Sequence, residues 1–434
     1  MSSRELTLTE ALLSRKLGRA PAPGDHVVVD VDLVYMHDGT FPLALKVLRR
    51  LDMEKVFDPR RIILFIDHAA PAPNLAAAIA HRIMREFSRK HGVKLYDVGA
   101  GISHQVVIDE GLIEPGNVIA GADSHTVTLG ALTTLATGFG STDAALAMAT
   151  GKTWLRVPEQ VKVSIEGEPS WWVMGKDIAL ALLGELGSDG AVYSSLEFQG
   201  SAIPYISMDS RITISNMSVE AGAKYGLFPL DGLAKAWYKS RGISTEPLEP
   251  GSKATYSDEI VMEASRLEPM IAAPPSPDNV TSVAEYEGVE VDQVFIGSCT
   301  NGRLEDFHAA ARVLKRHSVK QGVRCIAVPA SRRIYMRLLR EGIIEALAGA
   351  GCVVAHSTCG PCIGAHLGLL AEGEVAISTN NRNMPGRMGH RSARIYLANP
   401  ATAAAAAVKG RIVDPRELLP LGSRLMDPVE VQMA

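Results

Sequence analysis

The chain has 434 residues, of which 47% are hydrophobic and 21% are charged, and its formal net charge is −4. This length predicts two or three domains with sizeable cores, and the acidic balance gives no global attraction to nucleic acid or to an anionic membrane. Five cysteines, an odd and small number, argue against a disulfide framework, so we expect a reducing compartment, the cytoplasm. The longest uncharged stretch, residues 126–142, is too short for a membrane span.

In the first part of the chain, short apolar strands end in ionisable residues. We predict strands at 27–36, 61–66 and 117–122, and a further segment, 99–103, leads to a histidine. The side chains that follow these segments are, in chain order, His37, Asp38, Asp67, His68, His104, Asp123, Ser124 and His125. Ligands bind outside the carboxyl ends of strands in open α/β sheets. A single His or Asp there is more often a cap or turn residue, but together they indicate a general acid–base site.

Helices and further strands are predicted from local patterns. Residues 74–91 precede Gly92 and carry apolar side chains at 75, 79, 83 and 87, which predicts an amphipathic helix. Residues 161–165 are predicted to form a strand, and Asp177 is predicted to cap a helix over 178–183.

Asn216 and Glu220 are four residues apart, so they would share one face of a helix opening at Asn216. A capping Asn with a solvated Glu is the simpler local interpretation. The Pro-rich residues 268–277 are predicted to form an extended linker near a domain boundary. Beyond it we predict strands at 294–296 and 324–328 and a helix at 304–317.

Cys359 and Cys362 are three residues apart, and Cys299 follows the strand at 294–296 in a similar setting. Three thiolates fit a metal centre that keeps one position for substrate. A redox pair, a zinc site completed by His356, and ordinary buried thiols are the alternatives. Cys325 and Cys352 lie within predicted strands, so we expect them to be packing residues.

The most basic segment follows a predicted strand at 374–377 and contains Asn381, Arg382 and Arg387. It lacks the interleaved aromatic residues typical of nucleic-acid binding. Arginines at a strand end suit recognition of a carboxylate or phosphate on a small ligand.

Taken together, these segments resemble the aconitase superfamily. They appear in family order over nearly the whole chain: MHDGT at 36–40, DH at 67–68, ISHQ at 102–105, GADSHT at 121–126, NMSVEAGA at 216–223, IGSCTNG at 296–302, TCGPCIG at 358–364 and NRNMPGR at 381–387. The resemblance implies an α/β fold of three-layer α/β/α domains around a cluster-containing cleft, with domains at 1–158, 159–285 and 286–434.

The resemblance also implies the chemistry and the residues that carry it. A [4Fe-4S] cluster held by Cys299, Cys359 and Cys362 would serve as Lewis acid in a reversible dehydration and rehydration. The implied catalytic residues are Asp67, His68, His104, Asp123, His125 and Glu220. The implied substrate-binding residues are His37, Ser124, Asn216, Asn381, Arg382 and Arg387.

The pair His37–Asp38 stands where mitochondrial-type aconitases carry Gln-Asp, which favours the isopropylmalate and homoaconitate branch. Within it, 3-isopropylmalate in leucine biosynthesis is the first-choice substrate. Homoaconitate and 2,3-dimethylmalate are the alternative substrates. The family's serine base lies on a swivelling domain that this sequence does not contain, so a separate small subunit is the expected partner. The segment SRR at 331–333 looks like the missing motif, but it opens a predicted helix and we reject it as the base.

Two other classes of function compete with this interpretation. Some relatives bind RNA after losing the cluster, but the acidic balance argues against it here. A structural zinc protein would use the three cysteines and His356. We expect neither a nucleic-acid nor a membrane partner.

Overall fold

The computed structural model describes residues 5–419. The outermost parts of the first and third predicted domains, residues 1–4 and 420–434, lie outside this range. Within it, no helix is long and apolar enough to cross a membrane.

The first part of the chain forms a five-stranded parallel sheet and a two-stranded antiparallel sheet. In the parallel sheet the spatial order is β4-β3-β2-β5-β6 and the strands are β2 (Leu33–His37), β3 (Ile62–Phe65), β4 (Lys94–Tyr96), β5 (Val118–Gly121) and β6 (Leu135–Gly138). The two-stranded sheet consists of β1 (His26–Asp30) and β7 (Lys152–Arg156). All the carboxyl ends of the parallel strands lie at one edge.

A second sheet follows, with parallel strands in the order β10-β9-β8-β11. Its strands are β8 (Gln160–Glu166), β9 (Ser195–Gln199), β10 (Tyr225–Leu227) and β11 (Asp258–Glu263).

The third sheet has seven strands in the order β13-β12-β18-β17-β14-β15-β16. They are β12 (Met270–Ala272), β13 (Val280–Ser282), β14 (Gln293–Gly297), β15 (Arg324–Val328), β16 (Val353–Val354), β17 (Val375–Ser378) and β18 (Arg394–Ala398). Strands β12 and β13 pair antiparallel at one end, and the remaining five are parallel.

Helices flank the parallel sheets, as expected for three-layer α/β/α domains. The α-helices of the described residues are α1 (Leu8–Leu17), α2 (Phe41–Arg50), α3 (Leu75–His91), α4 (Ser103–Asp109), α5 (Ser141–Thr150), α6 (Gly175–Leu186), α7 (Met208–Met217), α8 (Gly232–Lys239), α9 (Leu304–Leu314), α10 (Arg332–Arg340), α11 (Ile343–Gly349) and α12 (Pro400–Lys409). One apolar core lies largely around the first two sheets, and a second lies around the third.

The predicted helix at 74–91 is confirmed as α3, with Asn74 as N-cap and Gly92 in the left-handed conformation at its end. The strands predicted at 61–66, 117–122, 161–165, 294–296, 324–328 and 374–377 are also confirmed within two residues. The helix predicted at 304–317 ends earlier, at Leu314.

The first predicted strand, residues 27–36, is two strands in different sheets. Strand β1 pairs antiparallel with β7, whereas β2 lies in the five-stranded sheet. The break falls at Asp32, whose carboxylate accepts the N–H of Val118 at 2.7 Å. Both strands are apolar, so the sequence pattern did not reveal this turn.

Two predictions about helix starts were wrong. Helix α6 begins at Gly175, three residues earlier than predicted, and Asp177 lies in its first turn, where its carboxylate accepts the N–H of Met174 at the helix start. Asn216 lies in the last turn of α7, and Glu220 follows in a 3₁₀ turn. Ser207 is the side chain that caps the start of α7, so Asn216 is free for another role.

The Pro-rich segment 268–277 is not a free linker, because it contains β12 of the third sheet. Sheet membership changes between Glu263 and Met270, earlier than the predicted domain boundary at 285. The boundaries at 158 and 285 stay predictions about domains.

Candidate active site

The candidate site lies where the carboxyl edge of the first sheet meets the loops of the third. Strands β2, β3 and β5 end at or just before His37, Asp67 and Asp123, and His104 lies in the first turn of α4. The cysteine loop is attached to this edge, because the N–H of Cys359 donates to the carbonyl oxygen of Asp67 at 3.0 Å.

Asp38 fixes the backbone that carries two of the predicted catalytic residues. Its buried carboxylate accepts the N–H groups of Asp67 (3.4 Å), His68 (3.0 Å) and Ala69 (2.8 Å). The ring of His81 lies 3.3 Å from the same carboxylate. The sequence analysis placed Asp38 among the polar side chains at the strand ends without a role of its own, and the structure shows that it holds the backbone of the Asp67–His68 loop.

Asp67 and His68 form a tight pair. His68 Nδ1 lies 2.7 Å from Asp67 Oδ1, and the His68 ring stacks on that of His37 at 3.7 Å between centroids. Although burial alone would lower it, the pKa of His68 is raised well above its usual value by Cys359 and by Asp67. Burial opposes ionisation of Asp67, but His68 holds its pKa below the usual range. The carboxylate of Asp67 and a negative charge at Cys359 therefore both favour the protonated form of His68.

Asp123 is the centre of the imidazole cluster. Its carboxylate oxygens lie 3.2 Å from His104 Nε2, 3.4 Å from His68 Nε2 and 3.5 Å from His37 Nε2. Burial opposes its ionisation, but the hydrogen-bonding histidines hold its pKa well below the usual value.

Tyr35, which the sequence analysis missed, closes the far side of this cluster. Its hydroxyl lies 2.5 Å from His104 Nδ1 and donates to Thr126 Oγ1 at 3.1 Å. Tyr35 is fully buried in the middle of β2, where the apolar strand pattern gave no functional signal.

A second chain of contacts crosses from the first sheet to the third. His125 Nε2 lies 2.8 Å from Glu220 Oε1, and Arg382 Nε donates to both Glu220 oxygens at 2.9 Å. Arg382 Nη2 also donates to Ser124 Oγ at 3.1 Å. Glu220 is therefore a buried partner of a histidine and an arginine, and the interpretation of it as a solvated side chain was wrong.

The predicted cluster cysteines are buried and receive hydrogen bonds. Cys299 Sγ accepts from the side-chain amides of Asn216 (3.3 Å) and Asn381 (3.4 Å). Cys362 Sγ lies 3.7 Å from Arg387 Nη2, and Arg387 Nε is buried without a partner among the described residues. Donors aimed at sulfur stabilise thiolates and so suit metal ligation.

The three thiols suit a multinuclear centre better than a single ion. Among the described residues, one set of three or more His, Cys, Asp or Glu has donor atoms all within 4.8 Å, and it consists of His37, Asp38, Asp67 and His68. The cysteines form no such set, whereas the ligands of one zinc ion each lie about 2.3 Å from it. The sulfur atoms of the three cysteines therefore lie too far apart to surround one zinc ion together with His356.

Burial raises the pKa of Cys299 to about 11 and also raises that of Cys359. These thiols do not ionise easily unless a cation joins them.

The residues set aside in the sequence analysis lie elsewhere. Cys325 and Cys352 are buried with their sulfurs 2.7 Å apart. Ser331 is the N-cap of α10, where its hydroxyl accepts the N–H of Ile334 and donates to Asp109. It is committed to a structural role, which agrees with its rejection as the base.

Comparison with known proteins identifies relatives over almost the whole chain. The family model described as aconitase family (aconitate hydratase) matches residues 10–287 and 283–410. The 3-isopropylmalate dehydratase large subunit 1 of Methanopyrus kandleri is 48% identical over 415 residues, covering 95% of this chain and 99% of the relative. The large subunits of the same name from Aquifex aeolicus (47% over 423 residues, covering 95% and 98%) and Caldanaerobacter subterraneus (46% over 416 residues, covering 95% and 99%) are similarly close.

Proposed function

This chain belongs to the aconitase family, and from that premise we propose that it is the large subunit of a 3-isopropylmalate dehydratase. The reaction interconverts 2-isopropylmalate and 3-isopropylmalate by dehydration and rehydration in leucine biosynthesis. The observation that carries this proposal is the meeting of the histidine–carboxylate network with the cysteine loop, joined through Asp67 and Cys359. The name shared by relatives of nearly the same length selects the substrate.

The donor set fits an iron–sulfur cluster. Cys299, Cys359 and Cys362 would hold it, and the amides of Asn216 and Asn381 donate to the first of these sulfurs. We propose a [4Fe-4S] cluster, since three thiolates leave one iron without a protein ligand. Such a cluster supplies Lewis acidity toward the hydroxyl and carboxylate of the substrate.

His68 is positioned to act as the general acid. Asp67 at 2.7 Å and Asp123 at 3.4 Å hold its ring from both nitrogens, and both oppose loss of its proton. To protonate a departing hydroxyl, which leaves as water, the Nε2–H of His68 would turn from Asp123, the longer of its two contacts, to the substrate oxygen. Asp123 also orients His104, so one carboxylate aligns two imidazoles that handle protons.

His125 and Glu220 form the second proton-handling pair at 2.8 Å. Burial opposes ionisation of Glu220, but His125 and Arg382 lower its pKa. Arg382 also fixes the orientation of the carboxylate by donating to both oxygens. The free buried Nε–H of Arg387 offers a donor for a substrate carboxylate, as a dianionic malate requires. His37 and Ser124 complete the wall of the site.

We infer that the serine base comes from a separate small subunit, in the cytoplasm. The relatives are named as large subunits, and Ser331 is already committed as a helix cap. The catalytic cycle therefore needs a second chain that closes over the histidine cluster.

The test is to purify the chain anaerobically, alone and with candidate small subunits, and to measure iron, acid-labile sulfide and turnover. We expect activity on isopropylmalate only in the complex. Turnover of homocitrate alone, or of 2,3-dimethylmalate alone, would reassign the substrate, and turnover of citrate alone would refute the branch assignment.

Cysteine variants test the metal centre directly. Cys299→Ser, Cys359→Ser and Cys362→Ser should each lose most of the iron and the activity. Cys352→Ser is the matched control, because its sulfur is buried against Cys325 and not in the site. Full activity in any of the first three would contradict the proposed ligand set, and about one zinc with no iron would favour the zinc alternative.

A further inference from the structure

Lys176 is a fully buried lysine that neither the sequence analysis nor the mechanism above uses. It lies in the first turn of α6 and has no exposed surface. Lysine is almost never fully buried unless its charge is paired. The ammonium group therefore needs a compensating negative charge.

No carboxylate oxygen of the described residues lies within 4.0 Å of the Lys176 ammonium, since it takes part in none of the ion pairs found there. Its contacts are the carbonyl oxygens of Thr379 (3.2 Å) and Asn380, and Met217 Sδ at 3.9 Å. Carbonyl dipoles offset only part of the cost of burying a cation. Within residues 5–419, no carboxylate supplies the pairing charge at close range.

The groups that act on Lys176 from further away point to the cysteine pocket. Burial lowers its pKa to about 7, while Asp306, Cys362, Cys299 and Glu220 raise it. Asp306 is already hydrogen-bonded to Asn301 and to the N–H of Arg303, and Glu220 is paired with Arg382. In the described part of the chain, Cys299 has no cationic side chain as a close partner, and Cys362 has one, Arg387.

Lys176 also holds the loop that supports the thiols. The two carbonyls that accept its hydrogen bonds directly precede Asn381, whose amide donates to Cys299 Sγ at 3.4 Å. The lysine thus links α6, beside the second sheet, to the loop after β17 of the third sheet.

We propose that Lys176 is the buried counter-charge of the iron–sulfur centre. Its ammonium group offsets the negative charge of the cluster and its thiolates, raises the reduction potential of the cluster and slows cluster loss. Lys176 is a positioning residue that touches no substrate. This inference rests on the proposed function, because it requires a cluster at Cys299, Cys359 and Cys362.

Replacing Lys176 should have opposite effects on stability in the cluster-free and the cluster-bound protein. Without the cluster, Lys176 either stays an unpaired buried charge or gives up its proton, since burial lowers its pKa to about 7. Either state costs stability relative to an apolar side chain, so Lys176→Met should raise the denaturation midpoint of the cluster-free chain. With the cluster bound, the same variant should lose iron about tenfold faster or more, as expected when a partly buried charge pair is broken. Its reduction potential, measured by a spectroscopic redox titration, should fall. If Lys176 had a purely structural role, its replacement would leave the reduction potential unchanged and would change the stability of both forms in the same direction.

Two further variants complete the experiment. Lys176→Gln keeps hydrogen-bonding capacity without charge, so it should shift the potential in the same direction as Lys176→Met even if the latter folds poorly. Lys224→Met is the matched control, because burial also lowers the pKa of Lys224, to about 8, but no cysteine is among the charges acting on it.

The outcomes separate the two proposals. If the unsubstituted chain binds no cluster, the proposed function fails. If it binds one, and Lys176→Met and Lys176→Gln leave its potential and its rate of iron loss unchanged, the counter-charge role of Lys176 is refuted. Equal destabilisation of both forms would refute it as well.

Discussion

Replacing Asp38 by asparagine tests whether a buried carboxylate positions the catalytic pair Asp67–His68. The substitution keeps size and shape but turns one oxygen into an NH₂ group. One side of the carboxylate accepts the N–H groups of Asp67 and His68, and the other accepts that of Ala69 and faces His81. Whichever way the amide turns, its NH₂ group faces at least one backbone N–H, which is also a donor.

The size of the effect follows from the geometry of these hydrogen bonds. The contacts at 3.0 Å and 2.8 Å are well formed, whereas those at 3.4 Å and 3.3 Å are weak. Asparagine loses one of the two well-formed bonds, and a hydrogen bond to a charged group contributes about 1.5–3 kcal/mol. We therefore expect the free energy of unfolding to fall by about 2–3 kcal/mol. A displacement of the His68 loop by about 1 Å would lower kcat by roughly a hundredfold.

The assay combines a urea denaturation of the chain with kcat and KM of the complex. Asp58→Asn is the matched control, because Asp58 caps an exposed 3₁₀ turn, where asparagine caps as well as aspartate. It should change neither quantity. A clear loss of stability in Asp38→Asn with an unchanged kcat would refute the positioning role, and no change in either would refute the network itself.

Two further predictions address the hydroxyl behind the imidazole cluster and a buried acid. Tyr35→Phe removes the hydroxyl 2.5 Å from His104 and should lower kcat about three- to tenfold and shift the pH profile of kcat. Tyr238→Phe is the control, because it loses only a hydrogen bond to a backbone carbonyl and should leave that profile unchanged. Burial raises the pKa of Glu305 to about 8, so the native state holds a proton that the unfolded state releases above about pH 4.5. The protonated Glu305 contributes to the stability of the fold below that pH, and this contribution is lost as the pH rises toward 8. Between these two pH values, the free energy of unfolding of Glu305→Gln should therefore increase relative to that of the parent by at most about 1.4 kcal/mol per pH unit. Parallel denaturation curves across the window would contradict the buried-acid assignment.

Local patterns in the sequence were enough to predict most of the strands and the chemistry at their ends. An apolar run followed at once by a carboxylate or imidazole marks the carboxyl edge of a buried parallel strand, as at Asp67 and Asp123. A short window of sequence is enough to detect this signal, because the chain passes from a buried strand to an accessible loop within a few residues at a sheet edge. It failed at residues 27–36, where a half-buried strand is followed at once by a fully buried one. It also failed at α7, where polar and apolar side chains alike are buried and no amphipathic pattern results.

The sequence by itself determined which side chains are available for catalysis and metal binding, because motif spacing and residue type carry that information. Only the tertiary structure decided how they are paired. Glu220 meets Arg382 across 162 residues, Asp38 holds a loop from the next strand, and Lys176 is buried against carbonyls 203 and 204 residues away. Such pairings depend on how sheets and helices pack together, and the local pattern of a chain does not encode which distant group will compensate a buried charge.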